Sequence, residues 1–309
     1  MKEIKNILIC GSGMMGKGIA QIFSGCEELN ITMYDIYESD IYPAIRDSLN
    51  QLRDKGILTE DEIEGRLSRI SFTTDINSEA VKNADLVVEC VFENMEIKQN
   101  LFLQLEGICR VDTIFATNTS VMSPTEIAAK IQHKERLVGT HFWNPAFLIP
   151  LVEVVKSNYT SEEVAKATMD ILLKADKKPV LCKKDVPGFI ANRMQHALWR
   201  EAISIIENGI ADAKTVDEAV KYSFGLRLPQ LGPIENADMV GTDLTLNIHE
   251  YIFRDLESSK EPSPLLKKLN ESGKLGFKSG EGFQTWNHEE IEKSKRELNE
   301  YLIKMIYGK

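Results

Sequence analysis

The stretch Ile4-Lys5-Asn6-Ile7-Leu8-Ile9-Cys10-Gly11-Ser12-Gly13-Met14-Met15-Gly16 decides the fold. Its aliphatic run predicts a buried strand, and three glycines in the pattern GxGxxG follow it without a spacer. Past Gly16 the apolar residues recur at helical spacing, and Asp35 stands nineteen residues beyond Gly16, at the end of the next apolar run. Strand, glycine turn, helix, strand and acid in this order open a parallel sheet wound with helices.

The alternation continues through residue 184. Short β-branched runs predict strands at 4–10, 31–34, 70–73, 86–92, 113–117, 137–140, 152–155 and 180–182, with helices near 14–24, 39–55, 60–68, 96–108, 124–132 and 161–175. Ser123-Pro124-Thr125-Glu126 is a helix start with a capping-box pattern and proline in the first turn. The charged insert from Tyr37 to Arg69 reads as a helical hairpin projecting from the sheet. After Asp185-Val186-Pro187-Gly188 the strand signals stop, and helices are predicted at 190–207, 215–222, 236–253 and 264–272. Ile291, Leu298, Leu302 and Met305 then share one face of a tail helix. The expectation is an α/β, Rossmann-type doubly wound, mostly parallel sheet over 1–184 and an all-α domain over 185–309.

Composition narrows the function. The 309 residues carry 47 acidic against 37 basic side chains, a net charge of −10, and both halves are acidic. A nucleic-acid partner would need a basic surface, so none is expected. No apolar stretch has the length of a membrane span. Cys10, Cys26, Cys90, Cys109 and Cys182 form no CxxC pair, which argues against a metal site and fits a reducing compartment. The N-terminal apolar run is too short for a signal peptide. A cytoplasmic protein is expected.

The glycine turn has a specific chemistry. Gly11 allows the tight turn, Gly13 lets a pyrophosphate approach the backbone N–H groups at Met14 and Met15, and Gly16 lets the helix pack on the strand. Asp35 is placed to accept hydrogen bonds from a ribose and to repel a 2′-phosphate, so NAD is favoured over NADP. A second constellation is His141-Phe142-Trp143-Asn144-Pro145 with Leu151-Val152-Glu153. A histidine backed by a carboxylate is a general base with a fixed tautomer. Spacing alone fits equally a core histidine with an unrelated strand glutamate. Likewise Asn118-Thr119-Ser120 could end a strand, Asn192 could cap a helix, and Glu93 with Lys98 could be a solvated pair.

Taken in order, GSGMMG, DLVVECVFENMEIK, FATNTS, HFWNP with LVEVV, DVPGFIANRM, GPIENADMVG and GKLGFKSGEGF resemble the 3-hydroxyacyl-CoA dehydrogenases over nearly the whole chain. The resemblance implies an NAD-binding domain, a helical domain that usually dimerises, and a place in fatty acid metabolism. It implies that His141 is the catalytic base, Glu153 its partner, and Ser120 and Asn192 contacts to the substrate. Glu93, Lys98, Asn144 and Lys278 match positions near the cofactor. Ser48 and Lys55, seven apart and so on one helical face, fall on the CoA-contacting serine and lysine; Lys55-Gly56 reads equally as a helix end with its glycine cap.

Two features pull the substrate the other way. The 37–69 insert holds five basic and eight acidic residues, which is no cradle for the phosphates of CoA. Pro150 stands where short-chain members often carry lysine, and the segment around it resembles relatives acting on free hydroxy acids, such as carnitine and gulonate dehydrogenases. The readings are therefore a short-chain 3-hydroxyacyl-CoA dehydrogenase, a dehydrogenase of a small non-CoA hydroxy acid, and a non-catalytic NADH-binding structural or sensor protein. The third has no use for His141, Glu153, Ser120 and Asn192 together.

Overall fold

The computed structural model describes residues 3–308, so the outermost ends of both expected domains lie outside the described residues. The strands are β1 (Asn6–Cys10), β2 (Asn30–Tyr34), β3 (Ile70–Thr73), β4 (Leu86–Glu89), β5 (Ile114–Thr117), β6 (Leu137–Phe142), β7 (Leu151–Lys156) and β8 (Lys178–Cys182). All eight predicted strands are present. They form one sheet in the order β3-β2-β1-β4-β5-β6-β7-β8. Every neighbouring pair is parallel except β6 with β7. Pro179, which has no N–H for a ladder, lies on the edge strand β8.

The sheet is covered on both faces because its central strands are apolar on both. Ile7 and Ile9 of β1 join one buried cluster, and Leu8 and Cys10 join another. Successive side chains leave a strand on opposite sides, so each cluster belongs to one face. The covering helices are α1 (Met14–Phe23), α2 (Tyr42–Arg53), α3 (Glu60–Ser68), α4 (Glu79–Lys82), α5 (Met95–Glu106), α6 (Pro124–Ile127) and α7 (Glu162–Lys174). Four-residue α4 is too short to register as a periodicity. The predicted helix at 124–132 keeps its Ser123 cap but tightens after one turn into a 3₁₀ segment, Ala128–Lys130.

The insert does not project from the body. Ile45, Leu49 and Leu52 of α2 and Ile63 and Leu67 of α3 are buried in the first cluster. Their helical spacing gathers them on one stripe, each contributing about 1.5–3 kcal/mol on burial. Thr59 and Glu62 close a reciprocal capping box at the start of α3. The charge that suggested projection lies on the outer faces of a docked hairpin.

The chain divides into two compact units: one runs to Asn192 and takes in the residues from Leu298 onward, and Arg193–Glu297 form the other. The remaining helices are α8 (Ala191–Glu207), α9 (Ala213–Lys221), α10 (Phe224–Arg227), α11 (Pro233–Val240), α12 (Thr242–Ile252), α13 (Pro264–Glu271) and α14 (His288–Tyr307). The single helix predicted at 236–253 is two, because Gly241 takes a φ of 101° between α11 and α12. In the tail helix Ile303 is buried, and Leu302 and Ile306 pack on the core of the first unit. Leu298 and Met305, predicted to share one face with Leu302, are exposed. Within the second unit Val216 alone among the described residues is buried.

Candidate active site

The glycine turn is built on close backbone contacts. A Cβ on Gly16 would lie 2.0 Å from the carbonyl oxygen of Gly11, so any side chain there would lift α1 off the turn. Gly11 has a φ of 111°, and a Cβ on it would lie 2.6 Å from the Cys90 carbonyl at the end of β4. The turn thus sits where the sheet order reverses between β1 and β4, the usual ligand position of such a sheet. Gly13 is the N-cap of α1, no side chain caps it, and nothing lies within 4 Å of where its Cβ would be. The first-turn N–H groups therefore face open space with the positive end of the helix behind them, which fits a pyrophosphate.

Asp35 follows β2 and is locked to the turn. Its Oδ2 accepts the Ser12 amide at 2.7 Å and the Ser12 hydroxyl at 2.6 Å. Burial works against its charge, but the Ser12 bonds prevail and hold the carboxyl below the usual aspartate range. The other oxygen is 3.5 Å from the Tyr37 amide, leaving it available to a ribose hydroxyl. The residues present fit a dinucleotide, and they fit one without a 2′-phosphate.

His141 and Glu153 are direct cross-strand partners in the antiparallel β6–β7 pair. Residues 143–150 form the return loop between the strands, and the pleat turns both side chains to one face. His141 Nδ1 lies 2.8 Å from Glu153 Oε2. A carboxylate only accepts, so Nδ1 carries the proton and Nε2 holds the free lone pair. Glu153 is fully buried, and its Oε1 accepts the amides of Ile190 and Ala191 at 2.9 and 3.0 Å. Burial alone would raise its pKa. The bonds from His141 and the two amides outweigh burial and keep it low, so Glu153 is an anion. Trp143 adds its indole N–H to Oε2 at 3.4 Å and sets its ring 5.2 Å from the imidazole.

A connected series of bonds joins four more predicted residues. Asn192 Nδ2 donates to the Ser120 carbonyl at 3.1 Å. The Ser120 amide donates to Glu93 Oε1 at 3.1 Å, and the Thr119 hydroxyl donates to the same oxygen. Lys98 lies 3.1 Å from Glu93 and 2.7 Å from Glu89. Lys98 is only 1% exposed and is buried against Glu89, while its second partner Glu93 stays exposed, so the pair allowed by the sequence is buried on the lysine side alone. Desolvation pushes Glu89 up despite Lys98, whereas Glu93, less buried, is held down by Thr119 and Lys98 against its own desolvation. Asn118 Oδ1 accepts the Phe142 amide at 2.9 Å and ties this loop to the strand that carries His141.

Other predicted residues stand apart from this cluster. Asn144 is exposed at the start of the β6–β7 loop, and Lys278 is exposed in the second unit. Ser48 donates to the Ala44 carbonyl within α2. Lys55 does not share a helical face with Ser48, because α2 ends at Arg53 and Lys55 lies in the turn before Gly56. Arg46 pairs with Glu60 and Glu64, and Arg53 with Asp54 and Glu60. Sequence reasoning missed Ser12, Glu89 and Trp143. A carboxylate closing the all-apolar strand Leu86–Glu89 was the available signal for Glu89.

Among the described residues no group of three or more His, Cys, Asp or Glu side chains is placed to hold a metal. No helix among them is long and apolar enough to cross a membrane.

Comparison with known proteins identifies the family. The family profile described as "3-hydroxyacyl-CoA dehydrogenase, NAD binding domain" matches residues 6–186, and "3-hydroxyacyl-CoA dehydrogenase, C-terminal domain" matches residues 188–286. A probable 3-hydroxybutyryl-CoA dehydrogenase of Bacillus subtilis is 38% identical, over 91% of this chain and 97% of that protein. The crystal structure of 5-formyl-3-hydroxy-2-methylpyridine 4-carboxylic acid 5-dehydrogenase, an NAD-dependent dismutase, has a TM-score of 0.89 at 32% identity and covers 97% of each chain. That of (S)-3-hydroxybutyryl-CoA dehydrogenase from Ralstonia eutropha has a TM-score of 0.77 at 32% identity, covering 92% of this chain and all of the other. The chain belongs to the 3-hydroxyacyl-CoA dehydrogenase family and is an NAD-dependent oxidoreductase acting on a CH–OH group.

Proposed function

We propose that the protein interconverts a short-chain 3-hydroxyacyl thioester of CoA and its 3-oxo form, with His141 as acid and base. The observation that carries the chemistry is the His141–Glu153 contact of 2.8 Å, with Nε2 left as the free nitrogen. NAD, when bound, supplies the hydride acceptor. Nε2 takes the proton of the 3-hydroxyl as the C–H bond is lost, and Glu153 stabilises the imidazolium across Nδ1. In the reverse direction protonated His141 donates to the carbonyl oxygen. Asn192 and Ser120, joined to each other and to Glu93, hold the oxygen in line with the imidazole. Glu93 and Lys98 act behind Ser120, and Asn144 and Lys278 are assigned to the cofactor by family position.

A second substrate reading has support of its own. The arginines of α2 are paired with acids, Pro150 replaces the lysine common in short-chain members, and the pyridine carboxylate dehydrogenase has the higher TM-score quoted above. These features favour a small free hydroxy acid over a CoA thioester. NADH oxidation with acetoacetyl-CoA, free acetoacetate and 3-dehydrocarnitine separates the two. A higher kcat/KM for the thioester supports the first reading, with Ser48 and Lys55 as CoA contacts; a higher value for either free acid replaces it with the second. NADH binding without turnover of any 3-oxo compound would leave only the sensor reading.

The second unit supports assembly as a homodimer. Trp199, Leu226, Ile234, Met239, Leu246 and Tyr251 are among its large apolar side chains open to solvent. Five free cysteines favour a reducing compartment such as the cytoplasm.

A further inference from the structure

A cavity of about 170 Å³ lies in the first unit, among α1, the α2–α3 hairpin, the end of α7 and Tyr307 of α14. None of the glycine turn, His141, Glu153, Ser120 or Asn192 lines it. Its walls carry polar groups that nothing in the fold uses. Gln21 is 2% exposed, and no described residue hydrogen-bonds its side-chain amide. The Arg66 guanidinium makes no ion pair or hydrogen bond with a described residue, although burial disfavours its charge more than Tyr307 and Glu62 support it. Its guanidinium packs on Gly25, where a Cβ would lie 3.3 Å from Nη1. The cavity opens to solvent, and the Gln21 amide and Arg66 guanidinium lining it have no side-chain partner in the fold, so a ligand entering there can take up their hydrogen bonds.

The remaining wall defines the ligand. Lys177 is 5% exposed and donates to the carbonyls of Ala146 and Ile149 at 2.6 and 3.0 Å, so two of its three protons are committed. Desolvation lowers its pKa to about 8 against the support of Asp176, which makes a nearby anion favourable. Lys174 is neutralised by Glu28. Ile22, Leu52, Leu58 and Phe147 add apolar side chains to the lining, which also includes Asp176. A void of about 150 Å³ takes one benzene, and butyrate is of similar size. A planar guanidinium matches a carboxylate in two parallel bonds, and the amide can add a third.

We propose that this cavity is a second binding site, for a short-chain carboxylate held by Arg66 and Gln21 with its hydrocarbon end against Ile22, Leu52 and Phe147. It is built on the loop that leads from His141 to Glu153, through Lys177 and Phe147. The overall charge of −10 opposes an anion, so the local cations must supply the attraction.

Calorimetric titration of sodium butyrate into the full chain saturated with NADH tests the site. The expected result is one saturable site in the wild type, weakened at least tenfold (about 1.4 kcal/mol) in Arg66→Met, with NADH affinity within about twofold. Gln21→Leu, which keeps the volume, gives the same loss and decides the question should Arg66→Met fail to fold. No saturable binding in the wild type, or unchanged butyrate affinity in the folded variant, overturns the proposal. Saturable binding of inorganic phosphate with none of butyrate overturns the carboxylate assignment.

Discussion

One oxygen of Glu153 accepts the Ala191 amide at 3.0 Å, so the carboxylate that holds His141 is itself held by the backbone where α8 begins. Glu153→Gln can keep that amide bond but must offer His141 either a donor or a weaker acceptor. The imidazole then loses the tautomer with a free Nε2. The expected outcome is a fall in kcat of about 10³- to 10⁴-fold with NADH affinity unchanged. Single-turnover NADH oxidation measures it, and retained turnover would show that the pair has no part in the proton step.

His141→Gln removes the base outright. Turnover is expected to drop by about 10²- to 10⁴-fold, while NADH, bound at the glycine turn, keeps its affinity. Fluorescence titration beside the kinetic assay separates the two. A parallel loss of NADH binding would mean that the histidine contributes to the nucleotide site.

Asp35→Ala removes a charged acceptor for the ribose and frees Ser12. NAD affinity should fall about tenfold or more, and discrimination against NADP should relax, since the charge that repels a 2′-phosphate is gone. Equal NAD affinity in mutant and wild type would place the ribose elsewhere.

Lys98→Met leaves Glu89 buried with one partner removed. Breaking a buried pair from one side costs about 3–5 kcal/mol, and the loss should appear in the urea midpoint. Adding Glu89→Gln to Lys98→Met should recover part of it, because no charge is then stranded. A double variant less stable than the single one would overturn this account.

Acid should act through the carboxylates that the fold holds down. Asp35, Glu93 and Glu153 each have a lower pKa folded than unfolded. Their stabilisation is complete above the unfolded carboxyl range, near pH 4, and is lost as pH falls through the folded values. Glu89, raised by burial, works in the opposite sense and blunts the effect. Melting temperature followed from pH 7 to 3 should drop below about pH 4.5, less steeply in Glu153→Gln. An equal slope in that variant would remove Glu153 from the acid response.

The sheet was legible because its strands are apolar on both faces and short, a pattern that survives without knowledge of the partners. The same logic misled at the insert, where charge on the outer faces of α2 and α3 concealed the stripe of Ile45, Leu49 and Leu52. A glycine inside a periodic run does not interrupt the pattern, yet at Gly241 a φ of 101° ends one helix and starts another. At the site, Asp35 and the turn could be read because their meaning is local. The His141–Glu153 contact needed the antiparallel reversal of β7, which no spacing announces. Lys98 was harder still: whether an ion pair is solvated or buried depends on what covers it, and sequence does not carry that.

The reversal between β6 and β7 also constrains how the chain can diverge. A residue gained or lost within β7 would rotate Glu153 to the opposite side of the sheet and strand the imidazole. A residue gained or lost between Trp143 and Pro150 would leave the ladder untouched and change only the shape of the bend. Length variation among close homologues should therefore collect in that bend, which lets them trade one hydroxy compound for another while the proton-handling machinery stays fixed.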